Sequence, residues 1–211
     1  MRSLLAAAFC MAPLCVDAHP HVFIDGGADF LFEDNALTSL RISWAYDPFA
    51  TLYYVQEMGV DPDGDLVLTE AERGLLLADH LSWDPGFAGD SYLEVAGSPV
   101  PLSGPQRGEA RIEAGRLRIV FERDLVRPIP ASGLQAVFKI YDPTYFVAYS
   151  VRQAPSIEGI SHACRATLLA FDPKRDLLRL QATLAQLAQE EIPADTGVGA
   201  LFADELHLIC D

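Results

Sequence analysis

The sequence predicts an α+β fold: a mainly antiparallel, β-sandwich-like sheet with an EF-hand-like helical insert and a C-terminal amphipathic helix. Three observations support this prediction. Short stretches of alternating apolar and polar residues recur between turn residues, as expected for strands with one buried face. Residues 47–81 instead show helical spacing on both sides of an aspartate-rich loop. Residues 173–191 place leucines along one face of a helix.

The first predicted element is a β-hairpin. Residues 21–33 and 37–46 both alternate, and Asp34-Asn35 between them is a typical turn pair. Residues 48–58 then show helical spacing and begin with a proline, which fits the first turn of a helix. A second helix over residues 70–80 follows the aspartate-rich loop.

The second half of the chain consists mostly of short predicted strands separated by Gly, Pro and Asp. This regular succession is typical of an antiparallel sandwich or a barrel-like sheet. Together with the final helix, it predicts one β-rich domain over residues 19–211, with the helical insert at about 47–81. The strands are predicted at residues 92–97, 108–115, 116–123, 134–142, 145–151, 163–171 and 205–210.

The N-terminal residues 1–18 are typical of a signal peptide. They contain Arg2, an apolar run and a small residue, Ala18, before the predicted cleavage point. The apolar run is too short to cross a bilayer of about 30 Å, which needs about 20 helical residues. We therefore expect an exported protein, located in a bacterial periplasm.

The net charge of the chain narrows the kinds of partner that are expected. The chain has 211 residues and a formal net charge of −15, which disfavours nucleic acid and anionic membranes and favours cations or basic partners. Plain solubility explains the acidity equally well.

Cleavage removes two of the four cysteines and leaves Cys164 and Cys210. In an oxidising compartment this pair predicts a disulfide; a pair of soft metal ligands is the alternative.

The stretch from Asp61 to Glu72 (DPDGDLVLTEAE) matches the EF-hand calcium loop. Alternating oxygen ligands suit this loop because it winds around the ion, and the final Glu closes the site with two oxygens. Flanking helices are also what the motif requires. The predicted ligands are Asp61, Asp63, Asp65 and Glu72 at loop positions 1, 3, 5 and 12, with the carbonyl of Val67 at position 7.

One position of this loop departs from the pattern. Position 6 is normally Gly because the backbone there is left-handed, but here it is Leu66, at a cost of about 1–2 kcal/mol. We expect weaker calcium binding or another loop geometry. The alternative is an aspartate-rich turn that caps the second helix, with Thr69 as N-cap and Glu72 as its partner.

The start of the first strand carries a candidate transition-metal site. His19, His21 and Asp25 alternate, so they share one face of a strand. Cleavage before His19 places its free α-amine beside its own imidazole, and His21 adds a third nitrogen; such ligands suit Zn, Ni or Cu. Pro20 lacks an N–H, so the usual chelate of an N-terminal X-X-His tripeptide does not form. Exposed histidines at a mature N-terminus are the alternative.

The remaining candidate residues carry weaker signals. His80 falls at a helix end, where a cation interacts well with the helix dipole. His162 and His207 lie near the cysteines. Asp142, between tyrosines, is either a turn residue or a further metal ligand. The sequence has no G-x-S-x-G, no Gly-rich phosphate loop and no H-E-x-x-H, so no catalytic residue is predicted.

Several of these segments together resemble a bacterial periplasmic family of unknown function, labelled the periplasmic component of an uncharacterised ABC-type transport system. The resemblance spans the mature chain, and the HPHVF and YDPTY pieces are fairly specific. The family's loop usually has Gly where this chain has Leu66. The shared segments are Ala18–Asp25 (AHPHVFID), Trp44–Asp47, the loop at 61–72, Tyr141–Tyr145 (YDPTY), Gly199–Ala203 and Cys210.

This resemblance implies a role in transition-metal handling, because members often lie beside nickel/cobalt or zinc transporter genes. It points to His19, His21, Asp25 and Asp142 as metal ligands, and to Cys164 and Cys210 as a pair. It does not imply a two-lobed solute-binding protein, since this chain shows hairpins and no βα repeats.

The predicted function is a periplasmic metal-binding accessory protein. It would present or buffer Zn, Ni, Co or Cu for an inner-membrane metal-ion transporter, with Ca²⁺ in the 61–72 loop as a clamp between two helices. One alternative is a copper-dependent or metal-assisted enzyme built on His19. Another is a metal-free interaction module. Nucleic-acid binding and direct membrane insertion are not expected.

Overall fold

The computed structural model describes residues 20–160, 163–184 and 197–211. The predicted signal peptide and His19 lie outside these residues. The described part of the chain contains eleven strands, three α-helices and one 3-10 helix. The strands are β1 (Val22–Glu33), β2 (Ala36–Tyr46), β3 (Ser91–Val95), β4 (Ser98–Val100), β5 (Gln106–Glu113), β6 (Arg116–Pro130), β7 (Gln135–Ile140), β8 (Val147–Val151), β9 (Ile157–Glu158), β10 (Cys164–Leu169) and β11 (Glu205–Cys210). The helices are α1 (Pro48–Glu57), α2 (Glu70–His80), α3 (Arg175–Leu184) and the 3-10 helix Val198–Phe202.

The strands form two sheets, which confirms the predicted α+β class with mostly β structure. The first sheet has the order β5-β6-β2-β1-β8, with β9 also paired to β1, and the second has the order β10-β11-β7-β3-β4. All pairs of strands in the described residues are antiparallel except two: β1 pairs in parallel with β8 and with β9. The sequence did not predict these parallel pairs, because they join strands far apart in the chain.

The hairpin of β1 and β2 forms as predicted. Asp34 and Asn35 at its turn have φ values of 47° and 59°. Left-handed backbone at both central residues is the geometry of a type I′ turn, whose twist matches that of the strands, and Asp and Asn tolerate it well. The two strands then pair from Ile24 opposite Tyr46 to Glu33 opposite Ala36.

The core lies between the two sheets and is built from the inward residues of both. Phe30 and Phe121 of the first sheet and Phe138 of the second are fully buried in one continuous cluster. Along β1 the residues alternate between buried and partly exposed, as the period-2 pattern predicted.

The helical insert packs at the β5–β6 side of the first sheet. The hydroxyl of Thr51 on α1 is fully buried, donates to the carbonyl of Asp47 and accepts from the backbone N–H of Leu117 on β6, both at 2.8 Å. Leu76 of α2 is also fully buried. These contacts fix both ends of the aspartate-rich loop on the sheet.

Several boundaries differ from the predictions. Strand β6 continues to Pro130, beyond the predicted end at residue 123, because β2 pairs with it there after a register shift. Strands β4 and β9 and the 3-10 helix were not predicted. The final helix is described only as Arg175–Leu184, and the rest of the predicted helix lies outside the described residues. Within the described residues, no helix combines the length and apolarity needed to span a bilayer.

Candidate functional site

The loop between α1 and α2 brings three carboxylates together. Asp61, Asp63 and Asp65 each place one carboxylate oxygen within 4.8 Å of the others, a grouping found nowhere else in the described residues. Asp61 is buried, whereas Asp63 and Asp65 are exposed. Burial raises the pKa of the Asp61 carboxyl; the backbone N–H of Leu66 opposes this rise, and the side chain of Asp63 adds to it.

The backbone at position 6 of the loop is left-handed, as the calcium-loop motif requires at that position. Leu66 has a φ of 58°, so it occupies the left-handed region in which the motif normally has Gly. The Asp61 carboxylate accepts from the N–H groups of Asp65 at 3.0 Å and Leu66 at 3.2 Å. These hydrogen bonds hold the turn in place against the cost of a side chain there. Leu66 therefore takes the left-handed backbone of position 6, and weaker calcium binding or another loop geometry stays a prediction.

The end of the loop is also a helix cap. The Thr69 hydroxyl accepts from the Glu72 N–H at 3.3 Å, and the Glu72 carboxylate accepts from the Thr69 N–H at 2.7 Å. This reciprocal pair is a capping box. The hydrogen bond from the Thr69 N–H lowers the pKa of Glu72. The structure thus shows the capping arrangement, with Glu72 outside the group of three carboxylates.

The predicted ligands at the N-terminal strand lie in separate environments. The His21 ring packs against Phe146, with ring centroids 4.9 Å apart. Asp25 instead forms ion pairs with Arg116 at 2.6 Å and Arg152 at 3.1 Å. Burial tends to raise the pKa of Asp25, but the two guanidinium groups outweigh it and lower the pKa.

Asp142 organises the turn between β7 and β8. One carboxylate oxygen accepts from the N–H and hydroxyl of Thr144, and the other accepts from the N–H groups of Phe146 and Val147 at 2.8 and 3.0 Å. This is the turn role that the sequence offered as an alternative to metal binding. The described residues do not gather His21, Asp25 and Asp142 into one group of ligand atoms.

The cysteines and the other histidines are also placed. Cys164 and Cys210 form the predicted disulfide between β10 and β11, so neither is a soft metal ligand in this state. His207 contacts Glu205 at 2.8 Å on the partly exposed side of β11, whereas His162 lies outside the described residues. His80 is the last residue of α2, as predicted; burial lowers the pKa of its imidazole, which packs against Tyr46 and Tyr54.

The sequence predicted neither of two further features of the structure. Asp90 is buried between the sheets, where it accepts a hydrogen bond from the Tyr149 hydroxyl at 2.8 Å. Five arginines also line a cavity on the outer face of the first sheet. Alternation shows which residues of one strand share a face, but it does not show which strands are neighbours. No local pattern therefore revealed the Asp90–Tyr149 contact or the arginine-lined cavity.

Comparison with known proteins places the chain in a family. It belongs to the family described as "Protein of unknown function (DUF1007)", which matches residues 4–210. A Haemophilus influenzae protein described as "Uncharacterized protein" is 26% identical over 198 residues, which cover 92% of each chain. No solved structure matches the chain. The resemblance is thus confirmed as membership of a family of unknown function, and neither description carries a transport label.

Proposed function

We propose that this protein is an exported, periplasmic metal-binding accessory protein that holds a divalent cation in the loop from Asp61 to Glu72. The observation that carries the proposal is the group of three carboxylates around a left-handed turn at Leu66. The disulfide Cys164–Cys210 is consistent with an oxidising compartment.

The donor atoms favour Ca²⁺ in this loop. Asp61, Asp63 and Asp65 offer only oxygen, and Ca²⁺ takes six to eight oxygen ligands, whereas Zn and Cu prefer nitrogen or sulfur. The carbonyl of Val67 and the carboxylate of Glu72 would complete the set. One oxygen of the Glu72 carboxylate also accepts from the Thr69 N–H, so cation binding and helix capping draw on the same carboxylate.

A cation would act as a clamp on the insert. Three neighbouring carboxylates repel one another, and burial disfavours the charged form of Asp61. A bound divalent ion removes that repulsion and links the end of α1 to the start of α2. At 100 times the dissociation constant, Ca²⁺ would add about 2.7 kcal/mol to the free energy of unfolding, which raises the melting temperature by roughly 5–10 °C.

Thermal unfolding with CaCl₂ or with EDTA tests the clamp. The key variant is Glu72→Gln, because Gln also forms a capping box but lacks the charge of the closing ligand. The matched control is Glu70→Gln, at an exposed position of the same helical turn. We expect Ca²⁺ to stabilise the parent and the control, and to stabilise Glu72→Gln far less. A parent that melts at one temperature with and without Ca²⁺ contradicts the proposal.

The link to transition-metal transport rests on the family resemblance. His19 would bind Zn, Ni, Co or Cu through its α-amine and its imidazole, together with His21. The protein would then present this metal to an inner-membrane transporter. Titration of each metal into the correctly cleaved protein, and into a version with one extra residue before His19, tests the site. Equal affinities of the two forms contradict it.

A further inference from the structure

The outer face of the first sheet has a floor of small residues at its centre. Gly27 on β1 lies opposite Ser43 on β2, and Ser43 lies opposite Val120 on β6, so the three form one row across the sheet. Glu109 on the edge strand β5 lies opposite Val120 and ends the row. A Cβ added at Gly27 would meet the Ser43 hydroxyl at 3.1 Å. The cavity above this row has a volume of about 730 Å³, within the range of small-molecule sites.

Arginines stand on both sides of this floor. In the row on one side, Arg111 lies opposite Arg118, and in the row on the other side Arg41 lies opposite Glu122. Each of these rows lies two residues along the strands from the floor. Residues two apart on a strand point to the same face, so these side chains share the outer face with the floor. We call this cavity the arginine basin. The arginines that line it are Arg41, Arg107, Arg111, Arg118 and Arg152.

Acidic neighbours hold these guanidinium groups in place. Arg118 contacts Glu113 at 3.3 Å, and Arg111 contacts the same carboxylate at 2.9 Å. Arg152 contacts Asp25 at 3.1 Å. A guanidinium has five N–H donors, and contacts of this kind engage only one or two of them. The arginines are therefore pre-positioned and retain donors for a ligand.

Arginine is concentrated in the basin relative to the chain. The whole chain has 15 basic and 30 acidic residues, whereas five arginines and four acidic residues line the basin. Three further carboxylates form ion pairs with these arginines from outside the lining: Glu113, Asp124 and Glu158. Exposed ion pairs contribute little to stability, so stabilisation of the sheet is a weak reason for this concentration. Arginine is well suited to hold carboxylate or phosphate groups through paired hydrogen bonds.

We propose that the arginine basin binds a small, multiply charged oxyanion, either a polycarboxylate or a polyphosphate. Arginines on opposite sides of a small-residue floor fit a ligand with more than one anionic group. The site lies outside the calcium loop and does not depend on it. A net charge of −15 gives the protein no general attraction for anions, so saturable binding of an anion has to come from a local site.

Isothermal titration calorimetry tests the proposal on purified protein that has been treated with EDTA and then dialysed free of it, with citrate and pyrophosphate as separate probes and NaCl of equal ionic strength as reference. The charge variants are Arg107→Gln and Arg111→Gln, both half-exposed on the edge strand β5. The matched control is Arg165→Gln, an exposed arginine on β10 of the other sheet. Ser43→Leu fills the floor without changing any charge, and the melting temperature of each variant shows that it folds.

We expect one binding event per chain in the parent and in the Arg165→Gln control. Each charge variant should weaken binding at least tenfold, and Ser43→Leu should weaken it to a similar extent. Binding of citrate alone identifies a polycarboxylate site, and binding of pyrophosphate alone identifies a polyphosphate site. Absence of binding in the parent, equal losses in the Arg165→Gln control, or full affinity in a folded Ser43→Leu variant would each overturn the proposal.

Discussion

The buried carboxyl of Asp90 makes the stability of this protein depend on pH. Asp90 precedes β3, is 6% exposed and accepts a hydrogen bond from the Tyr149 hydroxyl on β8 at 2.8 Å. Burial disfavours the charged form of Asp90 and raises its pKa to about 7. The negative charge of Asp142 adds to this rise, whereas the hydrogen bond from Tyr149 opposes it.

The magnitude follows from the difference in pKa between the folded and unfolded states. The pKa rises from 3.8 to about 7, and each unit corresponds to about 1.4 kcal/mol, so Asp90 contributes about 4 kcal/mol. The native state holds a proton that the unfolded chain has released. This stabilising contribution is therefore complete below pH 4, falls as the pH rises and is lost above about pH 7.

The substitution Asp90→Asn removes this dependence. The Asn side chain stays neutral, accepts the same hydrogen bond and tolerates the φ of 48° at this position. Urea unfolding, followed by the fluorescence of Trp44 and Trp83, gives the free energy of unfolding of parent and variant. We expect the variant to gain about 4 kcal/mol over the parent between pH 4 and pH 8.

The comparison with the parent removes the contributions of other titrating groups. One of them is His80, whose lowered pKa has the opposite effect, because its contribution to stability increases as the pH rises. Asp84→Asn, at an exposed position of the same connection, is the matched control and should differ from the parent by a constant amount. A constant difference for Asp90→Asn as well would refute the argument, since Asp90 would then be ionised in both states.

Three further predictions concern the disulfide, the loop and the turn after β7. Replacing both Cys164 and Cys210 by Ser should lower the free energy of unfolding by about 4 kcal/mol, because the bridge spans 46 residues; equal urea midpoints of parent and variant would contradict this. Leu66→Gly should relieve up to about 1 kcal/mol of backbone strain and tighten Ca²⁺ binding; weaker binding by calorimetry would count against the calcium loop. Gly199→Ala should destabilise by about 1–3 kcal/mol, because its Cβ would lie 1.8 Å from the Asp142 carbonyl oxygen; an unchanged melting temperature would disprove that contact.

Local patterns were sufficient for much of the fold. The β1–β2 hairpin follows from alternation and two turn residues, and the helices α1 and α2 follow from helical spacing and their caps. The disulfide follows from an even number of cysteines in the predicted mature chain. Each of these inferences depends on residue types and spacings that act over a few positions, or on counting.

The candidate sites depended on pairings over long distances in the chain. Asp25 meets Arg116 and Arg152, which lie 91 and 127 positions away, so the structure shows an ion-paired carboxylate where the sequence suggested a ligand. The parallel pairing of β1 with β8 likewise joins distant segments. Period-2 alternation carries no information about which strand lies beside which.

The sequence therefore established most of the longer elements, the turn chemistry, the carboxylate spacing of the Asp61–Glu72 loop and the cysteine pair. The three-dimensional structure established that Glu72 serves the cap, that Asp90 is buried against Tyr149, and that arginines flank a floor of small residues. The physical reason is the range of the forces that decide each feature. Backbone propensity, capping and turn geometry act between near neighbours, whereas strand order and register are set by the burial of the whole core.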